Sequence, residues 1–141
     1  MSSPEALNTT FDVRFYETDA LRHVSNTVLV GWFESAREPI FRIFNPTLAL
    51  DNWPLILASY QVDFHAQIFY GQPVTVKTFI SRIGNRAFDV YQEVWQNQNK
   101  CASGTTTMVH FDYISQSAVP IPDEIRSALD VYLKDKSDAT P

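Results

Sequence analysis

In FDVRFY (residues 11–16), Phe11, Val13 and Phe15 alternate with Asp12, Arg14 and Tyr16. A period of two predicts a half-buried first strand. From Thr27 to Phe44 the period changes: Leu29, Trp32, Phe33, Ala36, Ile40, Phe41 and Phe44 recur at three- and four-residue steps, with Glu34, Arg37, Glu38 and Arg42 between them. That spacing predicts an amphipathic helix with a wide apolar face. Pro39 lacks an amide hydrogen, so it kinks this helix or divides it into two.

NPTLALDNWP (45–54) reads as a connection. Four runs rich in β-branched and aromatic residues follow: LILASYQVDFHAQIFY (55–70), QPVTVKTFISRIG (72–84), RAFDVYQEVWQN (86–97) and CASGTTTMVHFDYI (101–114). Each predicts a strand. The short separators YGQP, GN and QNQNK predict that consecutive strands pair as an antiparallel meander. PIPDEIRSALDVYL (120–133) predicts a short helix with Ile125, Leu129 and Tyr132 or Leu133 on one face. One domain over 1–141 is expected, ordered from about residue 10 to 133, with a flexible polar N-terminus and a flexible tail KDKSDATP. One helix covering five antiparallel strands is an α+β solution.

Composition narrows the function classes. A net charge of −5 without a lysine or arginine cluster argues against nucleic acid. Cys101 is the single cysteine, and His23, His65 and His110 are scattered, so neither a disulfide nor a metal site is expected. No apolar run approaches the roughly 20 residues that span a bilayer. The N-terminus lacks a signal-peptide pattern, and a cytoplasmic location is expected.

The chemistry concentrates in ETDALRHVSN (17–26), immediately before the helix. Free amides in a first helical turn carry partial positive charge and polarise a carbonyl placed against them. Asp19 stands close by, and spacing alone leaves it as a capping residue, a general base or a nucleophile. Asn26 is the expected N-cap. His23 either orients Asp19 or bonds the local backbone, while His65 and His110, on strand-like runs, are assigned structural roles.

VRFYETDALRHVSN, the following TVLVGWFESAR and the later YQVDFHAQIFYGQPVTVKTFISRIGNRAFDVYQEVW together resemble the hotdog-fold acyl-CoA thioesterases, in the 4-hydroxybenzoyl-CoA thioesterase-like branch. The resemblance covers roughly residues 10–125. It implies a five-stranded antiparallel sheet wrapped around a long central helix, self-association as a homodimer or homotetramer, and active sites between subunits. It also implies that an acyl-CoA is hydrolysed to a free acid and coenzyme A, with no cofactor because coenzyme A is part of the substrate. Asp19, in the TD pair, takes the catalytic position, supported by His23 and Asn26. Ser25 and Arg22 stand where the family more often has asparagine and glycine.

Arg82 and Arg86, with Lys77 and Lys100, are the candidates to meet the coenzyme A phosphates, and Trp32, Phe33 and Trp53 to line an acyl slot. Three other readings share the fold: a non-catalytic module that binds acyl-CoA or dimerises, an acyl-carrier-protein thioesterase, and a hydratase.

Overall fold

The computed structural model describes residues 7–51 and 53–134. In chain order these form β1 (Leu7–Phe11), a single 3-10 turn (Phe15–Glu17), α1 (Asn26–Ala36), α2 (Glu38–Phe44), β2 (Leu55–Phe64), β3 (Val74–Ile83), β4 (Ala87–Gln96), β5 (Asn99–Asp112), β6 (Ser117–Ala118) and α3 (Asp123–Asp130). The N-terminal residues 1–6 and the tail residues 135–141, expected to be flexible, lie outside the described residues.

The sheet is antiparallel, in the order β1-β3-β4-β5-β2, with β6 added to β5. Strand alternation gives it one apolar face: Val74, Val76 and Ile80 of β3 and Phe88, Val90 and Val94 of β4 are all buried. Leu29, Trp32, Phe33 and Ala36 of α1 pack with Val74, Val76, Val94 and Ala102 in one core cluster, and Ile40, Ile80, Phe88 and Leu129 share a second. This is the α+β hotdog architecture implied by the resemblance. No helix among the described residues is long and apolar enough to cross a membrane.

Three expectations change. Pairing in β1 begins at Leu7↔Thr78 and ends at Phe11↔Val74, so only Phe11 of FDVRFY is in the sheet. The chain leaves because Glu17 turns inward, and Phe15, counted on the apolar face, is 72 % exposed. The meander holds from β3 to β5 but fails for β2, which crosses to the far edge and pairs with β5. Residues 65–73 span that distance, with Ile68 buried on the way.

The helix is divided at Arg37 and restarts with Pro39 in the first turn of α2, where no amide donor is needed. A polar network fills the break. Gln92 Nε2, in a side chain reaching inward from β4, donates to the Phe33 carbonyl at 2.9 Å and to Thr78 Oγ1 at 3.1 Å, while its Oε1 accepts from Arg37 Nη1. The two-residue turn Asn97-Gln98, both with positive φ, closes the β4–β5 hairpin.

Candidate active site

The loop before α1 is built from backbone bonds. The Ser25 amide donates to the Glu17 carbonyl at 2.9 Å, Thr18 and Val24 form an antiparallel bridge, and the Asp19 amide donates to the His23 carbonyl at 2.8 Å. Arg22 closes the tip by donating from its amide to the Asp19 carbonyl at 3.0 Å, with φ of 63°. That left-handed conformation favours glycine, which explains why glycine suits a position that here holds Arg22.

The buried Glu17 carboxylate anchors this loop, accepting from the Arg14 amide at 2.7 Å, Arg14 Nη1 at 3.3 Å and Trp32 Nε1 at 2.9 Å. Glu17 and Asp19 thus separate: one is tied to the helix core, the other is exposed.

Asp19 Oδ1 accepts from the amides of Leu21 at 2.9 Å and His23 at 3.2 Å. These bonds, Leu21 first, hold its carboxyl below the ordinary value of 3.8. Oδ2 has no hydrogen-bond partner among the described residues, so a fixed, ionised carboxylate presents one free oxygen. The His23 ring meets Phe69 edge-on with centroids 5.0 Å apart. Gln96 pins that segment, donating to the Phe69 and Gln72 carbonyls and accepting from the Phe69 amide.

Helix α1 begins one residue earlier than expected, with Ser25 at the N-cap, and neither Ser25 nor Asn26 makes a side-chain cap bond. Asn26 is the first helical residue, and its side chain is available to a neighbouring cavity of about 350 Å³, lined also by Val24, Leu29, Phe64, His65 and Ile68. His65 is therefore a second correction. Read from sequence as lying far from the motif, it shares the cavity with Asn26 and bonds Ser103 Oγ through Nε2 at 3.0 Å. The pairing of β2 with β5 brings it there, its amide donating to the Cys101 carbonyl at 2.8 Å, and no local pattern reveals that pairing. Asp19 is not among the cavity's lining residues; its loop meets the cavity through Val24, which is bridged to Thr18.

Arg82 and Arg86 lie elsewhere in the chain. They flank the β3–β4 turn, whereas Asp19 adjoins the Val74 end of β3, about 30 Å away at ~3.3 Å per residue. Arg82 makes a two-bond ion pair with Asp89, while Arg86 makes no side-chain hydrogen bond or ion pair among the described residues. His110 shares this end, its amide donating to the Arg86 carbonyl. Lys77 sits over the Trp95 ring and Lys100 beside Glu93. Of the slot candidates, Trp32 is core against Phe11, Phe33 and Trp53 line cavities farther along α1 and α2. Among the described residues no group of three or more His, Cys, Asp or Glu could hold a metal ion.

Comparisons with known proteins show the family. The profile of the thioesterase-like superfamily matches residues 13–129. The structure of a predicted thioesterase from Bacillus stearothermophilus superposes with a TM-score of 0.89 at 38 % identity, covering 92 % of this chain and 97 % of that one. A Thermus thermophilus thioesterase, solved with coenzyme A and zinc, superposes with a TM-score of 0.77 at 27 % identity, covering 86 % and 95 %. A 1,4-dihydroxy-2-naphthoyl-CoA hydrolase from Synechococcus sp. is 27 % identical over 127 residues, covering 80 % of this chain and 82 % of the relative.

Proposed function

The chain belongs to the thioesterase-like superfamily and is a thioester hydrolase, and from that premise we propose that it cleaves acyl-CoA at the entrance of α1 with Asp19 as the reacting carboxylate. The observation that carries this is the Asp19 side chain: Oδ1 is immobilised by two amides and Oδ2 is free. The thioester carbonyl lies against the amides of Asn26 and Thr27 at the start of α1, Val28 already donating to the Ser25 carbonyl, and they stabilise its oxygen as negative charge develops. Asp19 Oδ2 then either takes a proton from the attacking water or attacks the carbonyl itself, giving an anhydride that water opens. Both routes consume one water, break the carbon–sulfur bond and release a free acid and the coenzyme A thiol. His23 and Asn26 support the site, one behind the loop and one at the helix start.

A second copy completes it. The β2 edge is ten residues long, and nothing among the described residues pairs with its outer side. Leu57, Tyr60 and Phe64 are 46 %, 53 % and 51 % exposed along it. Antiparallel pairing of two β2 edges about a two-fold axis sets the partner's Leu55 end against this chain's Phe64 end. Leu55 is opposite His110, which is bonded to Arg86. The partner's Arg86 thereby approaches the Asp19 end, where a coenzyme A phosphate needs a cation. Net charge −5 without a basic cluster favours coenzyme A over an acidic carrier protein.

The test is thiol release from a panel of short, long and aromatic acyl-CoA substrates. Stoichiometric acid and thiol are expected. Saturable binding without thiol release would leave a non-catalytic module.

A further inference from the structure

The break between α1 and α2 encloses a guanidinium that makes no direct ion pair among the described residues. Arg37 is 5 % exposed, and its Nη1 donates to two neutral acceptors, Gln92 Oε1 at 3.3 Å and Thr106 Oγ1 at 3.2 Å. Its Nε is buried without a partner, and Nη2 donates to no described residue. Nε and Nη2 form the guanidinium edge that grips a carboxylate with two parallel bonds. One side of the group is held; on the other, Nε is enclosed without a partner, so a carboxylate reaches that edge only if a wall side chain moves aside.

The residue borders space. Arg37 lies in the walls of two adjoining cavities of about 90 Å³ and 480 Å³. The smaller is walled by Val30, Phe33, Leu57, Tyr60 and Val62, with Gly31, where an added Cβ would meet nothing within 4 Å. Both run between α1 and β2, in line with the cavity beside Asn26, Leu29 and Phe64. The three cavities thus follow one another along α1 from the helix start to Arg37, with Val30, Phe33 and Leu57 apolar and Glu34, Ser35 and Glu38 polar in the walls at the Arg37 end.

We infer that Arg37 receives a carboxylate at the far end of the acyl chain, so that the preferred substrates are coenzyme A monothioesters of medium-length dicarboxylic acids; this inference deepens the proposed function and rests on it. Length follows from the helix. Asn26 and Phe33 are seven residues apart, and Gln92 bridges the Phe33 carbonyl to Arg37; the rise is about 10 Å, which suits an acyl chain of roughly eight carbons. Glu34, one turn before Arg37, lines the same space; it is exposed and forms no direct ion pair with Arg37, yet its charge favours the charged guanidinium from a distance, and a bound carboxylate would have to compete with it. Glu38, in the wall of the larger cavity, is likewise exposed and paired to Arg42.

The test compares kcat/KM for octanedioyl-CoA and octanoyl-CoA in wild type, Arg37→Met and Arg37→Lys, with calorimetric binding of free octanedioate and octanoate. Wild type is expected to favour octanedioyl-CoA by about tenfold or more, since a site built for a polar group rejects the analogue lacking it. Arg37→Met should reverse the preference while still hydrolysing octanoyl-CoA, and Arg37→Lys should keep only part of it. A wild-type preference for octanoyl-CoA, or an unchanged ratio in Arg37→Met, overturns the inference. If Arg37→Met does not fold, the wild-type and Arg37→Lys ratios decide. If wild type hydrolyses neither thioester but releases thiol from another acyl-CoA of the panel, the inference is overturned and the functional proposal stands; if it releases thiol from none, the functional proposal fails and octanedioate binding decides: tight binding weakened by Arg37→Lys upholds the carboxylate site, and no binding overturns it.

Discussion

Trp32 Nε1 donates to Glu17 Oε2 across 2.9 Å, joining the buried face of α1 to the loop that carries Asp19. Because Ser25 also bonds the Glu17 carbonyl, the helix start and the loop are fixed to one residue. Glu17→Ala removes a buried acceptor of several bonds and should cost about 2–4 kcal/mol, since bonds to charged groups are worth ~1.5–3 kcal/mol and the orphaned indole adds to the loss. It should also lower kcat/KM by displacing Asp19, whereas Glu17→Gln, which can still accept from Trp32, should lose less of both. Denaturant unfolding and steady-state kinetics on the two variants check this.

The amide bonds to Asp19 make a pH prediction. They hold the folded carboxyl below 3.8, so Asp19 stays ionised as pH falls toward that value, and the activity it supports is lost only below it. The favourable contribution to folding follows the same sign: present above the ordinary pKa and lost as pH falls through the lowered one. The profile of kcat/KM against pH should show no acid limb assignable to Asp19 between about pH 5 and 8, and a limb in that range that disappears in Asp19→Asn would contradict the geometry.

Arg22 holds a left-handed backbone at φ of 63°. Left-handed geometry costs a residue with a Cβ about 1–2 kcal/mol, and glycine gives back part of that gain through its freer unfolded chain. Arg22→Gly should therefore be neutral or stabilising by up to about 1 kcal/mol and retain activity. Arg22→Val should destabilise, because a β-branched residue tolerates this region least. Thermal unfolding of the pair reads the difference.

Pairing through β2 predicts that Leu57→Lys combined with Tyr60→Lys, placing charge on the exposed face of that edge, yields monomers; because both side chains also wall the cavity beside Gly31, the oligomeric state is the readout that reports on the edge. Light scattering with parallel activity measurements tests it. Monomers with full turnover would mean that no second copy is needed.

The core elements were legible because their periods are strong: α1, β3, β4, β5 and α3 fall where the patterns put them. What failed depended on contacts distant in sequence. Nothing in FDVRFY signals that Glu17 will be drawn inward by Trp32, which ends β1 at Phe11. Short turn motifs reveal that β3, β4 and β5 are neighbours, but β2 belongs to the opposite edge through residues 65–73, and His65 moves with it. Arg37 reads as part of a polar helix face; division of the helix at that residue turns it into the core against Gln92. Asp19 was legible as a candidate through its motif, while the pair of amides that fixes it was not.

The most direct measurement is thiol release from acyl-CoA by wild type and Asp19→Asn. The asparagine oxygen can still accept from Leu21 and His23, so fold and thermal stability should change little while the free carboxylate oxygen is lost. The account predicts a fall in kcat of about two to four orders of magnitude. Undiminished turnover by the folded variant would remove Asp19 from the reaction and contradict it.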